Sequence, residues 1–192
     1  MKHTIVFVVG MAGSGKSTVS DALVKEGFSY VRFGQIVIDE VKKRGLEVNE
    51  TNEKLVREDL RKKHGMGALA LLNLNNFDGF LAESNVVGDG LYSWTEYKIL
   101  KEKYGDAMVV LAVYAPPSLR YQRLEHRAAD HDVALRFRSI PREQSQARDY
   151  AEIEHMEKGG PIAMADFTII NAGALQDVQK QLQIFLTHIK ND

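Results

Sequence analysis

Gly10-Met11-Ala12-Gly13-Ser14-Gly15-Lys16-Ser17-Thr18 follows directly on the apolar run Thr4-Ile5-Val6-Phe7-Val8-Val9. The stretch fits the pattern G-x-x-x-x-G-K-[ST], with Gly10, Gly15, Lys16 and Ser17 at the fixed positions. Glycines at this spacing let successive backbone N–H groups turn inward and form a concave cradle for phosphate oxygens at the positive end of the next helix. The expected phosphate-binding set is therefore Gly10, Ala12, Gly13, Ser14, Gly15, Lys16, Ser17 and Thr18. Lys16 would reach the outer phosphates and the Ser17 hydroxyl would bind Mg²⁺. A glycine-rich turn that merely contains a lysine needs no particular surroundings. Here a β-type run precedes the loop and a helix-type run follows it, which is the context the motif requires.

Working outward, the first run is continuously apolar and β-branched, as expected of a strand buried on both faces of a parallel sheet. Residues 15–26 read as a helix whose Val19, Leu23 and Val24 face that sheet, stopped by Gly27. Residues 30–33 form a short second strand broken by Gly34, and residues 35–44 carry Ile36, Val37 and Val41 on a helical stripe. Two further helical runs, 51–64 and 68–83, flank a hinge-like Gly65-Met66-Gly67. Strands are expected at 85–89, 107–115 and 167–170, with helices at 96–104, 118–127 and 174–190. The last helix has an amphipathic stripe of Leu175, Val178, Leu182, Phe185 and Ile189. The segment 128–160 is rich in charge and poor in apolar residues, the best candidate for a mobile cover. Alternating strands and helices predict one α/β domain, a three-layer α/β/α sandwich around a five-stranded parallel sheet, with ligands bound at the carboxyl ends of the strands.

The totals agree with a soluble globular protein: 192 residues, 44% hydrophobic and 27% charged, with no internal repeat. A formal net charge of −1 argues against a protein that holds a nucleic acid polymer by its backbone. The absence of cysteine excludes disulfides and thiolate metal sites. No apolar run approaches the ~20 residues needed to span a bilayer, and no cleavable signal is visible, so a cytoplasmic protein without membrane contact is expected.

Chemistry-bearing residues cluster at the predicted strand ends. Asp89 ends the third strand, where it would hold Mg²⁺ or accept the proton of an attacking hydroxyl. Charge in phosphoryl transfer spreads over three oxygens, which planar guanidinium groups can clamp together. Arg123, Arg127, Arg142 and Arg148 lie in or beside the expected cover, where closure would bring some onto the transferring phosphate; the alternative is a solvated basic face paired with Asp130, Asp132, Glu143 and Asp149. Arg127 and Arg148 are the expected catalytic arginines and Arg123 a donor-site residue. Arg57 and Arg61 lie four apart on one helix and could bind an anionic part of an acceptor. Phe33, Tyr92 and Trp94 are near strand ends and could stack a ring, although aromatic residues are more often simply packed. His64, His126 and His131 lack metal-ligand spacing.

These residues resemble the phosphate-loop kinases of small molecules, especially nucleoside monophosphate kinases, dephospho-coenzyme A kinase and adenylate-kinase-like proteins. The resemblance runs through the loop, Phe33-Gly34, Leu60-Arg61 with Gly65-Met66-Gly67, Asp89-Gly90, the arginines from 120 to 127, Arg148-Asp149, and Ala165-Asp166 through Asn171-Ala172-Gly173. It implies strand order 2-3-1-4-5, an acceptor-binding subdomain at about 35–83, a lid at about 128–160, and an adenine site bordered by Asn171 and Gly173. By the same resemblance Phe33, Gln35, Gly90 and Tyr92 line the acceptor side.

Two departures stand out. Monophosphate kinases commonly read Gly-Asp-x-x-Arg after the second strand, and here the stretch is Gly34-Gln35-Ile36-Val37-Ile38. A second acceptor arginine usually follows the Asp-Gly of the third strand, and here Leu91-Tyr92-Ser93 follows. Each charge-assisted hydrogen bond is worth roughly 1.5–3 kcal/mol, so the losses argue against ordinary adenylate kinase activity. Either Arg57 and Arg61 replace the clamps, or the acceptor offers a hydroxyl with no phosphate beside it. The expectation is an ATP- and Mg²⁺-dependent kinase of a nucleotide-like small molecule, acting as a monomer or homodimer. The alternative is an ATP-binding regulator or slow ATPase that has lost its acceptor site.

Overall fold

A computed structural model of the chain describes residues 3–126 and 140–191; Arg127 and the first part of the expected cover, 128–139, lie outside the described residues. Strand β1, Ile5–Val9, is the centre of a parallel sheet with the order β2-β3-β1-β4-β5, where β2 is Ser29–Arg32, β3 Val86–Asp89, β4 Met108–Tyr114 and β5 Phe167–Ile170. All five residues of β1 are buried. Period-two alternation divides them between two cores. Ile5, Phe7 and Val9 point to one face and Val6 and Val8 to the other.

On the first face, α2 (Gln35–Lys43), α3 (Glu50–His64), α4 (Ala68–Leu81) and α5 (Trp94–Tyr104) contribute Val37, Val41, Val56, Leu60, Phe77 and Leu100. Phe7, Phe33 and Phe77 form a triad with ring centroids 5.3 to 5.8 Å apart, which fastens α4 to the sheet. On the second face, α1 (Lys16–Lys25) and α9 (Leu175–Asn191) bring Val19, Leu23, Val178, Leu182 and Phe185 against Val6, Val8 and Ile169. The three layers and the strand order are those expected from the sequence.

Some local expectations are corrected. Val24 is 41% exposed, because Val19 and Leu23, four apart, form the seam and Val24 lies a further 100° around the helix. Leu175 is also exposed, at the first residue of α9. Within the charge-rich segment 128–160, residues Arg142–Met156 form the regular helix α7, followed by the short α8, Gly159–Ala163. Helix α7 is docked on α6 (Pro117–Glu125), whose start is set by Pro117 at the first helical position. The buried contact is polar: the Arg120 guanidinium gives Asp149 two hydrogen bonds, of 3.1 and 2.5 Å, and the Tyr121 hydroxyl donates to the same carboxylate at 3.0 Å. Low apolar content therefore marks a helix docked through a buried ion pair.

The aromatic triad makes a direct test of the packing. Phe77 is fully buried, and Phe77→Ala is expected to cost roughly 3–5 kcal/mol in urea unfolding, with the denaturant slope unchanged. A loss no greater than that of a surface substitution would show that the triad does not hold α4.

Candidate active site

The parallel register brings the chemistry-bearing loops to one edge of the sheet. Asp89 pairs with Val8 on one side and Arg32 on the other, so it lies beside the end of β1, two residues before Gly10. Val9 pairs with Ala112, and Tyr114 with Ile170, so the loop 10–15, Ala115 and Asn171 leave the sheet at the same edge.

The loop is built around backbone positions that only glycine fills easily. Gly15 caps α1 with φ 101°, and a Cβ there would run into the Asn171 amide; Gly10, at φ 143°, lies against the Val113 carbonyl and the Ser14 hydroxyl. Asn171 takes the space thus left. Its Nδ2 donates to the Ser14 carbonyl at 2.8 Å, and its Oδ1 accepts from Arg123 Nη2 at 3.2 Å. Arg120 grips the loop from beneath, donating to the carbonyls of Ala12 at 3.0 Å and Ala115 at 3.1 Å. The two described arginines of α6 thus have distinct work. Arg120 is buried and structural, while Arg123 touches the residue that borders the loop.

Lys16 begins α1, and its ammonium donates to the Met11 carbonyl at 3.1 Å. Burial and the nearby Lys158 ammonium lower its pKa to about 7, against the pull of Asp89 and Glu152. Ser14 Oγ, beside Gly10 in the loop, and Nη1 of Arg123, whose Nη2 donates to Asn171, are also buried without a hydrogen-bond partner among the described residues. Unpaired buried polar atoms are costly, and a desolvated lysine is costlier. Phosphate oxygens would satisfy all three, so the residues present fit a phosphate chain. The oxygen donors available to a cation are the Ser17 hydroxyl, in the first turn of α1, and the Asp89 carboxylate, whose Oδ2 accepts from the Tyr30 hydroxyl at 2.9 Å. No cluster of three or more acidic or histidine side chains suited to a metal occurs among the described residues, so a cation here would also need phosphate and water oxygens.

The residues expected on the acceptor side are distributed unequally. Phe33 is fully buried in the aromatic triad, so its ring is packed in the core; only its carbonyl, 3.3 Å from Asn73 Nδ2, makes a polar contact. Gln35 is exposed and donates to Asp39 at 2.8 Å. Arg57 lies 3.8 Å from Glu50. Trp94 stacks on Tyr97 at 4.8 Å. Arg61 is different. Its Nε and Nη2 are buried without a partner, and burial lowers its pKa while the Glu96 carboxylate opposes the shift. Glu96 is itself fully buried; its Oε2 accepts the N–H groups of Tyr92 and Ser93, both at 2.9 Å, and its Oε1 has no partner. A 220 Å³ cleft lined by Met66, Ser93, Thr95 and residues 154–157 separates the α3–α4 turn from the end of α7.

Above the strand ends, Arg148 and Lys158 converge on one carboxylate. Arg148 Nε donates to Glu152 Oε1 at 2.9 Å, and Lys158 Nζ donates to Glu152 Oε2. Lys158 is 2% exposed, and its ammonium lies 4.7 Å from the centroid of the Tyr92 ring. Burial pushes the Glu152 carboxyl up, but the Lys158 and Arg148 charges overcome it and hold the group at about 2.

A family model described as AAA domain matches residues 6–164. The chain belongs to the AAA domain family. It is also 35% identical over 187 residues to a UPF0200 protein of Thermococcus gammatolerans, covering 96% of this chain and 95% of that one. A UPF0200 protein of Thermococcus kodakarensis is 34% identical over 187 residues, with coverage of 96% and 97%. Among solved structures, TT1252 of Thermus thermophilus superposes with a TM-score of 0.65 at 20% identity, covering 98% of both chains. Shikimate kinase of Acinetobacter baumannii, solved with shikimate, gives a TM-score of 0.57 at 21% identity over 97% of this chain and 94% of that one. These superpositions place this family member in the P-loop kinase fold. No helix among its described residues is long and apolar enough to cross a membrane.

Sequence reading missed Lys158, Glu152, Tyr30 and Glu96. Only the spacing of Arg148 and Glu152, four apart on one helix, could have flagged part of the cluster. Lys158 pairs across a helix end, six residues from Glu152, where no periodicity applies.

The Glu152 cluster also sets an acid limb of stability. Its carboxyl is held at about 2, against an ordinary value of 4.5, so it contributes stability that is complete above pH 4.5 and lost as pH falls toward 2. Glu152→Gln leaves Lys158 buried without its counter-charge and is expected to cost roughly 3–5 kcal/mol at neutral pH. In urea unfolding followed against pH, the gap between wild type and variant should narrow below pH 4.5. A gap independent of pH would contradict the assignment.

Proposed function

We propose that this protein is an ATP- and Mg²⁺-dependent small-molecule phosphotransferase whose acceptor is a nucleotide or nucleotide-like molecule. The observation that carries the reading is the loop itself, clamped by Asn171 and Arg120, with a desolvated Lys16 and a buried unpartnered Ser14 hydroxyl that an anion would satisfy. Solved proteins of the same fold bear the names shikimate kinase and gluconokinase, which supports phosphotransfer as the reaction class.

In this mechanism the loop N–H groups and Lys16 bind the donor phosphates and bear charge as the phosphoryl group leaves. Asp89, fixed by the Tyr30 hydroxyl, orients either the metal or the acceptor hydroxyl, whose proton it takes in the second case. Bound through Ser17 and Asp89, Mg²⁺ would neutralise phosphate charge. Arg148, on α7, stands over the site with Glu152 as its anchor, and Arg127 is a second arginine of the same role. Asn171, Gly173 and Arg123 border the base or sugar of the donor. The segment 35–83 acts as the acceptor subdomain and 128–160 as the lid. Arg61, with two buried donors unpaired beside Tyr92 and Glu96, supplies the acceptor contact that the loop after β2 lacks. Tyr92 and Gly90 form the facing wall, with Gln35 and Arg57 at its margin.

The second reading, a nucleotide-binding regulator or slow ATPase, is favoured by Gln35 and Ile38 in place of the Asp and Arg of Gly-Asp-x-x-Arg, and by Leu91-Tyr92-Ser93, without arginine, after the Asp-Gly of β3. A phosphotransfer screen over nucleoside monophosphates, nucleosides and dephospho-coenzyme A separates the two. Transfer to any of them supports a kinase; ATP binding without any acceptor supports the regulator.

Lys16→Ala is expected to lower turnover about 10²–10³-fold with the fold intact by circular dichroism, and unchanged turnover would sink the donor site. Arg61→Ala is expected to raise the acceptor KM about tenfold while the KM for ATP stays constant, consistent with the loss of one charge-assisted contact. An effect confined to ATP would contradict the acceptor role.

A further inference from the structure

We propose that Lys158 is a second catalytic lysine, which contacts the γ-phosphoryl group of the donor from the acceptor side of the crevice and is held ready there by Glu152. The proposal rests on the donor-site reading above and adds a residue to it.

Its position carries the argument. The Tyr92 ring is packed against Gly90, at the carboxyl end of β3. Lys158 Nζ stands 4.7 Å above that ring, so the ammonium faces the strand ends on the side of the missing acceptor arginines. It is also close enough to Lys16 to be the charge that most depresses that residue. Lys16 and Lys158 thus belong to one cluster of charges with Asp89, Glu152 and Arg148. An ammonium has three donors; Glu152 takes one and the Tyr92 face covers another direction, which leaves a donor for a phosphate oxygen.

The backbone holds the lysine there at a conformational cost. Glu157, immediately before it, has φ 52°, the only positive φ of a non-glycine residue in the described chain. The Glu152 carbonyl accepts the Lys158 N–H at 3.2 Å. Gly160, two residues on, is packed flat on the Trp94 indole. Glu152 therefore holds Lys158 by main chain and by side chain, and the unfavourable dihedral falls beside the group being positioned.

Charge supplies the second argument. Lys16, Arg148 and Lys158 are the cationic groups here, and Glu152, Asp89 and, acting on Lys158, Asp149 are the anionic ones. A buried ion pair seldom adds net stability over apolar packing. Here burial disfavours the charged forms of Lys16 and Lys158, and an anionic phosphoryl group would offset that cost.

The test is isothermal titration of Mg-ADP and of Mg-AMPPNP, which differ by the terminal phosphoryl group, into wild type, Lys158→Met and Lys158→Arg. Lys158→Met is expected to weaken Mg-AMPPNP about tenfold, a loss of about 1.4 kcal/mol, with Mg-ADP changed less than about twofold. Lys158→Arg should restore most of the AMPPNP affinity. Should Lys158→Met unfold, the double variant Lys158→Met with Glu152→Gln, which removes both charges of the pair, is read instead. Equal losses for the two nucleotides, or no loss for either, would overturn the assignment and leave the donor site standing. Wild type that binds neither nucleotide would overturn the donor site and this assignment together.

Discussion

Strand β1 is buried on both faces, and the position of everything else follows from that. A segment with five consecutive apolar residues needs both faces covered, so it lies at the centre of the sheet with helices above and below. Burying a Val, Ile or Phe side chain is worth roughly 1.5–3 kcal/mol, so this one strand carries a large part of the driving force for the sheet. Its carboxyl end then opens between the helical layers. The loop at residues 10–15 occupies that opening, beside Asp89, because the register sets Val8 between Asp89 of β3 and Leu111 of β4.

The loop is not held by its own glycines alone. Asn171 reaches it from the end of β5 and Arg120 from α6, each through a loop carbonyl. Arg120 also carries the ion pair to Asp149 on α7. Helix α7 is thereby tied to the loop at residues 10–15 through one buried guanidinium. Loop and roof share a single polar network. A shift of α7 must strain the Arg120 contacts to Ala12 and Asp149 together, which gives a physical route between donor site and cover.

How much was legible in the sequence follows from the range of the interactions involved. The loop, the five strands and the three layers come from local patterns or from a motif whose residues are contiguous, and the strand order from the resemblance to phosphate-loop kinases. Phe33, Val24 and α7 show where local patterns mislead. Phe33 lies at a strand end, yet its ring turns into the core because Phe7 and Phe77 complete a cluster drawn from three distant segments. Val24 is apolar but one residue off the helical seam. Helix α7 looks like a charged cover because its docking surface is Asp149 and Glu152 rather than leucines. Lys158 was invisible for the same reason: its partners are Glu152 across a helix end and Tyr92 on another element. Spacing rules describe single helices and strands, and contacts between elements lie beyond them.

The unusual acceptor wall gains a physical sense from these contacts. In the proposed reaction, positive charge must meet the transferring group and the acceptor, and the positions after β2 and β3 carry Gln35 and Tyr92 instead. The charge is supplied by Arg61 on α3 and by Arg148 and Lys158, on and just after α7. All three project from covering helices or their ends rather than from the strand ends. Charges fixed on strand ends attract an anion whether the site is open or closed. Charges carried by covering elements act fully only when those elements surround the ligand and exclude water, where each interaction is stronger. Tyr92 suits that arrangement, since its ring accepts the Lys158 ammonium on its face without neutralising it. A site built this way couples acceptor binding to closure, and so discriminates by whether the acceptor completes the enclosure as well as by the charge it bears.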